Sequence, residues 1–152
     1  MKQLITFFIT LVLSSNGFAQ RPFLLYSPDS ALRLEIITGT QLAYKLFAGT
    51  QLLQSSSSVD LKLDNGLQLS DKLVVSMYKY RKVNELVNVA VPYRRPVISN
   101  HYQHLELIFK QPFSVEFRLY NNGMAYRIGT RFKDSIIIEN ETAIFEVNSQ
   151  SG

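Results

Sequence analysis

Ser114-Val115-Glu116-Phe117-Arg118-Leu119, running into Tyr120-Asn121-Asn122-Gly123-Met124-Ala125-Tyr126-Arg127, decides the fold. Val115, Phe117 and Leu119 alternate with Ser114, Glu116 and Arg118, and a spacing of two puts each set on its own face of a strand. Asn121-Asn122-Gly123 then offers residues that tolerate positive φ, as a tight hairpin turn asks. The stretch reads as strand, turn, strand, with one face buried.

The same period recurs upstream, in Leu32-Arg33-Leu34-Glu35-Ile36 and in Leu61-Lys62-Leu63. Gly39, Gly49 and Asp64-Asn65-Gly66 punctuate the runs where turns are needed. Roughly ten short strands at about ten-residue spacing follow, the rhythm of an antiparallel β-sandwich or barrel. Leu73 to Val91 reads as strand, although Val83-Asn84-Glu85-Leu86-Val87 also suits a helical turn; Ser55 to Ser58 reads as a loop between strands. Ala143-Ile144-Phe145-Glu146-Val147 reads as a last strand, and Asn148 to Gly152 adds no closing element. On this reading either the protein closes with what it has or it is the front part of something larger.

Composition bounds the chemistry. The chain has 152 residues, 16 Lys plus Arg against 12 Asp plus Glu, a net charge of +4, eight Tyr, ten Phe, and neither Cys nor Trp. That suits one globular domain, able to bury roughly two thirds of its unfolded surface without disulfide or metal. Without Cys there is no thiolate zinc site and no Cys nucleophile. Lys79, Arg81, Lys82 and the pair Arg94-Arg95 are too scattered for a nucleic-acid partner and read as solvated faces. At the start, Lys2, the apolar Leu4 to Leu13 and the small or polar Ser14 to Ala19 have the build of a secretory signal peptide over residues 1–19, cut before Gln20. Ten residues rise only about 15 Å as a helix, half a bilayer's hydrocarbon thickness, so no membrane anchor is expected after removal. The product, residues 20–152, is expected to be periplasmic or secreted.

Several segments resemble the N-terminal β-sandwich of glycoside hydrolase family 97, a family of α-glucosidases and α-galactosidases. They are Ser27-Pro28-Asp29 before Leu32 to Ile36, Ser99-Asn100-His101-Tyr102 leading into Leu105-Glu106-Leu107, the motif Tyr120 to Arg127, and Glu141-Thr142 before Ile144-Phe145. They fall in the family's order over Tyr26 to Val147. The resemblance implies a partial galactose-mutarotase-like super-sandwich that packs on a catalytic (β/α)8 barrel and helps form a sugar pocket. It gives Tyr120, Asn122, Gly123, Ala125 and Arg127 a structural part, with Gly123 free to take positive φ and Ala125 small enough for close packing. The barrel alone needs about 250 residues, so it is not among these 152. The catalytic carboxylates belong to that barrel. Calcium is implied only for full-length members, held by a glutamate beyond Gly152, and no cofactor is expected in this chain. His104 stands where an acid is expected, and Arg94 and Arg95 where an aromatic and Gly are.

Glycoside hydrolysis needs two carboxylates flanking one bond. Glu106 and Glu116 are the best local pair, but Lys110 and Arg118 nearby favour a cross-strand charge ladder, and no catalytic residue is named. Arg127 reads as the partner of an acid such as Glu116 across the hairpin. His101 and His104, three apart, fall on opposite faces of a strand, which disfavours a metal site. Tyr93, His101 and Tyr102, near the two arginines, are the carbohydrate-contact candidates, since Tyr and Arg offer planar faces with polar edges. Asn140-Glu141-Thr142 fits a glycosylation sequon, irrelevant in a bacterial export setting. The sequence thus reads as an exported, carbohydrate-associated front domain without hydrolase activity, whose partners are carbohydrate and a catalytic domain. The alternative is a complete, non-enzymatic periplasmic sandwich or barrel that binds an apolar ligand or a protein.

Overall fold

The computed structural model describes residues 21–88, 90 and 97–148. Residues 1–19, expected to be a signal peptide, and Tyr93, Arg94 and Arg95 lie outside them. Nine strands are present among the described residues: β1 (Phe23–Tyr26), β2 (Leu32–Thr38), β3 (Leu42–Ala48), β4 (Gln51–Leu63), β5 (Val75–Asn88), β6 (Val97–Phe109), β7 (Phe113–Tyr120), β8 (Gly123–Thr130) and β9 (Ile138–Val147). They form two antiparallel sheets, one ordered β1-β2-β3-β4-β9 and the other β5-β6-β7-β8. The fold is an all-β sandwich, and the only helical element among the described residues is a 3-10 turn at Leu69–Lys72.

Alternation builds the core. Phe113, Val115, Phe117 and Leu119 of β7 have no exposed surface, while Ser114, Glu116, Arg118 and Tyr120 between them are only half-buried. Leu34 and Ile36 of β2, Leu42 and Tyr44 of β3, and Val59, Leu61 and Leu63 of β4 face them from the other sheet. The Tyr44 and Phe117 rings join the layers edge to face, 6.1 Å between centroids. Near one end, the Asn121 carboxamide oxygen accepts the Asp29 N–H at 3.1 Å, so two of the family-like segments meet across 92 residues of chain. The Asp29 carboxyl is held below its ordinary value first by the Ser27 hydroxyl and then by the Ala31 N–H, both of which donate to it.

Several sequence expectations change. Ser55 to Ser58 is no loop but the middle of β4, where three steps of β4 oppose two of β3 in a bulge. Ser56 takes φ 41° there, and small serine side chains let Ser57 and Ser58 turn inward without clash. Gly123 opens β8 without positive φ, whereas Gly49 and Gly66 do adopt it. Ala125 is exposed rather than closely packed. Leu73 to Val91 is mainly strand, as β5 shows. β7 pairs only with the Gln103–Ile108 part of β6, so β5 and β6 run on beyond it as a two-stranded ribbon whose Leu86, Val87, Val97 and Ile98 are exposed.

Phe117→Ala is expected to cost about 3 to 5 kcal/mol, through lost transfer energy and the cavity left between the layers. Phe145→Ala on exposed β9 is expected to stay within about 0.5 kcal/mol. Urea unfolding of both variants checks the pair.

Candidate functional site

The outer face of the β5-β8 sheet gathers the polar residues that alternation excludes from the core. Two rungs cross the sheet in register, Lys79, Glu106, Glu116 and Arg127, then Arg81, His104, Arg118 and Ala125; a third rung, Val83 with Tyr102 and Tyr120 with Gly123, lies beyond the last β6–β7 pair. The first rung sets two glutamates directly opposite each other, which is unfavourable unless cations flank them. Lys79 meets Glu106 at 3.3 Å, and Arg127 meets Glu116 at 2.5 Å. Arg118 adds a 3.5 Å contact to Glu116. Burial would raise the Glu116 carboxyl, but the Arg127 hydrogen bond and charge, helped by His104, hold it below its ordinary range. A glycosidase acid needs the opposite shift. The Glu106–Glu116 pair thus sits in a charge ladder, with Lys79 rather than the expected Lys110 on Glu106, and the Arg127–Glu116 pair across the hairpin is present.

The second rung poses a different problem, because His104 lies between Arg81 and Arg118 and is only 2% exposed. Its Nε2 approaches Glu116 at 3.4 Å, outside hydrogen-bond geometry, and neither ring nitrogen has a hydrogen-bond partner among the described residues. Burial lowers the imidazole below the ordinary 6.5, Glu116 opposes that, and Arg81 and Arg118 add to it. The third rung is aromatic. Tyr102 is buried, its ring 5.1 Å from that of Tyr120, and the Arg118 guanidinium lies 5.1 Å over its ring centre. Beside these lies a cavity of about 170 Å3 lined by Glu116, Arg118, Tyr120, Ala125, Tyr126 and Arg127.

Of the carbohydrate-contact candidates, only Tyr102 sits on this face. His101 lies on the opposite, core-facing side of β6, its Nε2 buried without a partner, so the two histidines are apart. Tyr93 is outside the described residues. Of the motif residues, Tyr120, Ala125 and Arg127 line the cavity and Asn122 is exposed in the turn. Arg118, which joins the ladder to the aromatic pair, was read from the sequence only as a cation of the charge ladder. Its signal was present, since Glu116, Arg118 and Tyr120 alternate on one face, but the strand opposite was not known. No group of three or more His, Cys, Asp or Glu side chains placed to hold a metal occurs among the described residues.

An antiparallel sandwich with a charged and aromatic outer sheet face defines the class as an all-β sandwich domain. The chain belongs to the glycosyl-hydrolase 97 N-terminal family, whose profile matches residues 25–152. It is 33% identical over 144 residues to a retaining α-galactosidase of Bacteroides thetaiotaomicron, a match covering 94% of this chain and 22% of that enzyme. In fold it is similar to a family 97 enzyme from a Pseudoalteromonas species solved with acarbose, with a TM-score of 0.72, 16% identity, and coverage of 84% of this chain and 20% of that one. A β-arabinopyranosidase matches at a TM-score of 0.69 and 16% identity, covering 84% of this chain and 22% of its own. The chain thus spans about a fifth of the length of these relatives.

The depressed His104 and Glu116 values set a pH dependence. In each case the unfolded state binds the proton more readily, so stability rises with pH through the window. Stability is expected to be full above about 6.5 and to fall as His104 protonates between its unfolded and folded values. A second loss is expected as Glu116 protonates below about 4.5. Thermal unfolding from pH 8 down to about 2.5 measures both, and His104→Gln is expected to remove the upper step alone.

Proposed function

We propose that this chain is an exported front domain of a family 97 glycosidase, associated with carbohydrate and acting with a catalytic barrel rather than hydrolysing glycosides itself. The observation that carries the reading is the Tyr102, Arg118 and Tyr120 stack beside the Glu116–Arg127 pair. Planar faces next to a fixed charged pair suit the apolar side and the hydroxyl edge of a sugar. Family membership and a match covering about a fifth of the α-galactosidase support the partnership with a barrel. Export rests on the sequence of residues 1–19, which has the charge, the apolar run and the small residues of a signal.

The isolated chain is expected to release no product from aryl α-galactosides or α-glucosides. It is expected to bind oligosaccharide weakly, with NMR shift changes centred on Tyr102, Arg118 and Tyr120. Arg118→Ala is expected to weaken that binding about tenfold, the worth of a charge-assisted hydrogen bond. Hydrolysis by the chain alone, or binding indifferent to Arg118, overturns the reading. In a Gram-negative host the periplasmic product is expected to begin at Gln20; retention in the cytoplasm at full length refutes export.

A further inference from the structure

The flank where β1 meets the β5-β6 side carries a row of aromatic rings. Tyr78 and Tyr80 of β5 lie opposite Leu107 and Leu105 of β6, both wholly buried, so by alternation the two tyrosines share the core-facing side of their sheet. β1 is only four residues long, and the tyrosines beside it stay 57% and 48% exposed. The Phe23 ring lies 5.4 Å from that of Tyr78, and the Tyr78 ring 5.9 Å from that of Tyr80, both edge to face. Each ring is thus held by its neighbour while much of its surface remains open. Tyr26, at the end of β1, is exposed to the same degree as Tyr80.

A cavity of about 290 Å3 lies at the Tyr80 end of this row, lined by Leu24, Tyr26, Ser27, Ser30, Tyr80 and Gln103 among others. No charged side chain lines it; its polar groups are hydroxyls and one carboxamide. The side chains of Ser30 and Gln103 make no hydrogen bond among the described residues. Burial and then Tyr78 raise the Tyr80 phenol above its ordinary value, against a smaller opposing contact with the Leu24 backbone, so the hydroxyl is a donor at neutral pH. A wall without charge disfavours an ion, and its hydroxyls and amide disfavour a purely apolar ligand. Planar faces with uncharged hydrogen-bonding edges suit a neutral, polyhydroxylated ring.

We propose that this cavity is a second carbohydrate site, which seats one neutral pyranose ring of a glycan against Tyr26 and Tyr80, with Ser30 and Gln103 bonding its hydroxyls. The proposal rests on the carbohydrate association proposed above and adds a separate site to it. Tyr102 and Gln103 are consecutive on β6, so the cavity and the Tyr102, Arg118 and Tyr120 stack lie on opposite faces of that strand. The volume falls just under the range of roughly 300 to 1,000 Å3 of small-molecule sites, which suits one ring with the rest of the glycan in solvent.

The test titrates the chain with maltohexaose and, separately, with an α-galacto-oligosaccharide, and follows NMR shifts residue by residue. Shifts are expected at Tyr26, Tyr80 and the Gln103 carboxamide. Tyr80→Ala is expected to weaken binding at this flank about fivefold or more and to leave shifts at Tyr102 and Tyr120 in place, whereas Tyr80→Phe keeps the ring and most of the affinity. Tyr26→Ala, at a chain end of the row, gives the same readout where Tyr80→Ala fails to fold. Arg118→Ala is expected to leave the flank shifts unchanged. Absence of flank shifts with both sugars, or flank binding indifferent to both Tyr80→Ala and Tyr26→Ala, overturns the proposal. So does light scattering that finds a dimer lost in Tyr80→Ala, since the occupant is then a second copy. Flank shifts respond to Tyr80 and outer-face shifts to Arg118, so this proposal and the carbohydrate reading of the outer face fail separately.

Discussion

Everything in the molecule hangs on the register of β7. Four of its side chains, Phe113, Val115, Phe117 and Leu119, are wholly buried, and the residues between them make the outer face. Because the side-chain period is two, a slip of one residue would send Glu116 and Arg118 into the core and Phe117 into water. The same choice of register sets Phe117 against Tyr44 across the layers and Glu116 against Arg127 across the hairpin. Core and candidate site are therefore consequences of one strand's placement.

That placement creates an electrostatic conflict which the outer face resolves locally. Two glutamates stand opposite each other in one rung, and a histidine stands between two arginines in the next. The first conflict is met by charge, since Lys79 and Arg127 close the rung at either end. The second is met by proton loss, because a neutral imidazole between Arg81 and Arg118 adds no third positive charge. A face neutralised in this way leaves Arg118 free to lie over Tyr102. Its planar groups are held by contacts within the sheet itself.

What the sequence made legible was local. Alternation in Ser114 to Leu119 and in Leu32 to Ile36 yields the strands, and glycine and asparagine mark their ends. The Arg127–Glu116 pair was also within reach, because a hairpin's register follows from its own turn. Ser55 to Ser58 misled because four serines look like a linker, while a bulge in a long strand suits small residues that can turn inward. Gly123 misled because a turn glycine suggests positive φ, and this turn closes without it. The Tyr102, Arg118 and Tyr120 stack was not legible, since it depends on which residues of β6 face β7, a pairing between strands with separate alternation patterns.

The flank formed by β4 and β9 is braced from within the sheet. β9 is held along its length by β4, and β4 is itself anchored beside it. The Asp60 carboxylate accepts hydrogen bonds from the Leu61 and Ser70 N–H groups, the Ser70 hydroxyl and the Gln68 side-chain amide. That network ties the 3-10 turn to the strand and keeps Leu69 buried beneath it. The edge strand therefore rests on a neighbour whose own position is fixed by four hydrogen bonds to one carboxylate, so its register is set by the sheet behind it.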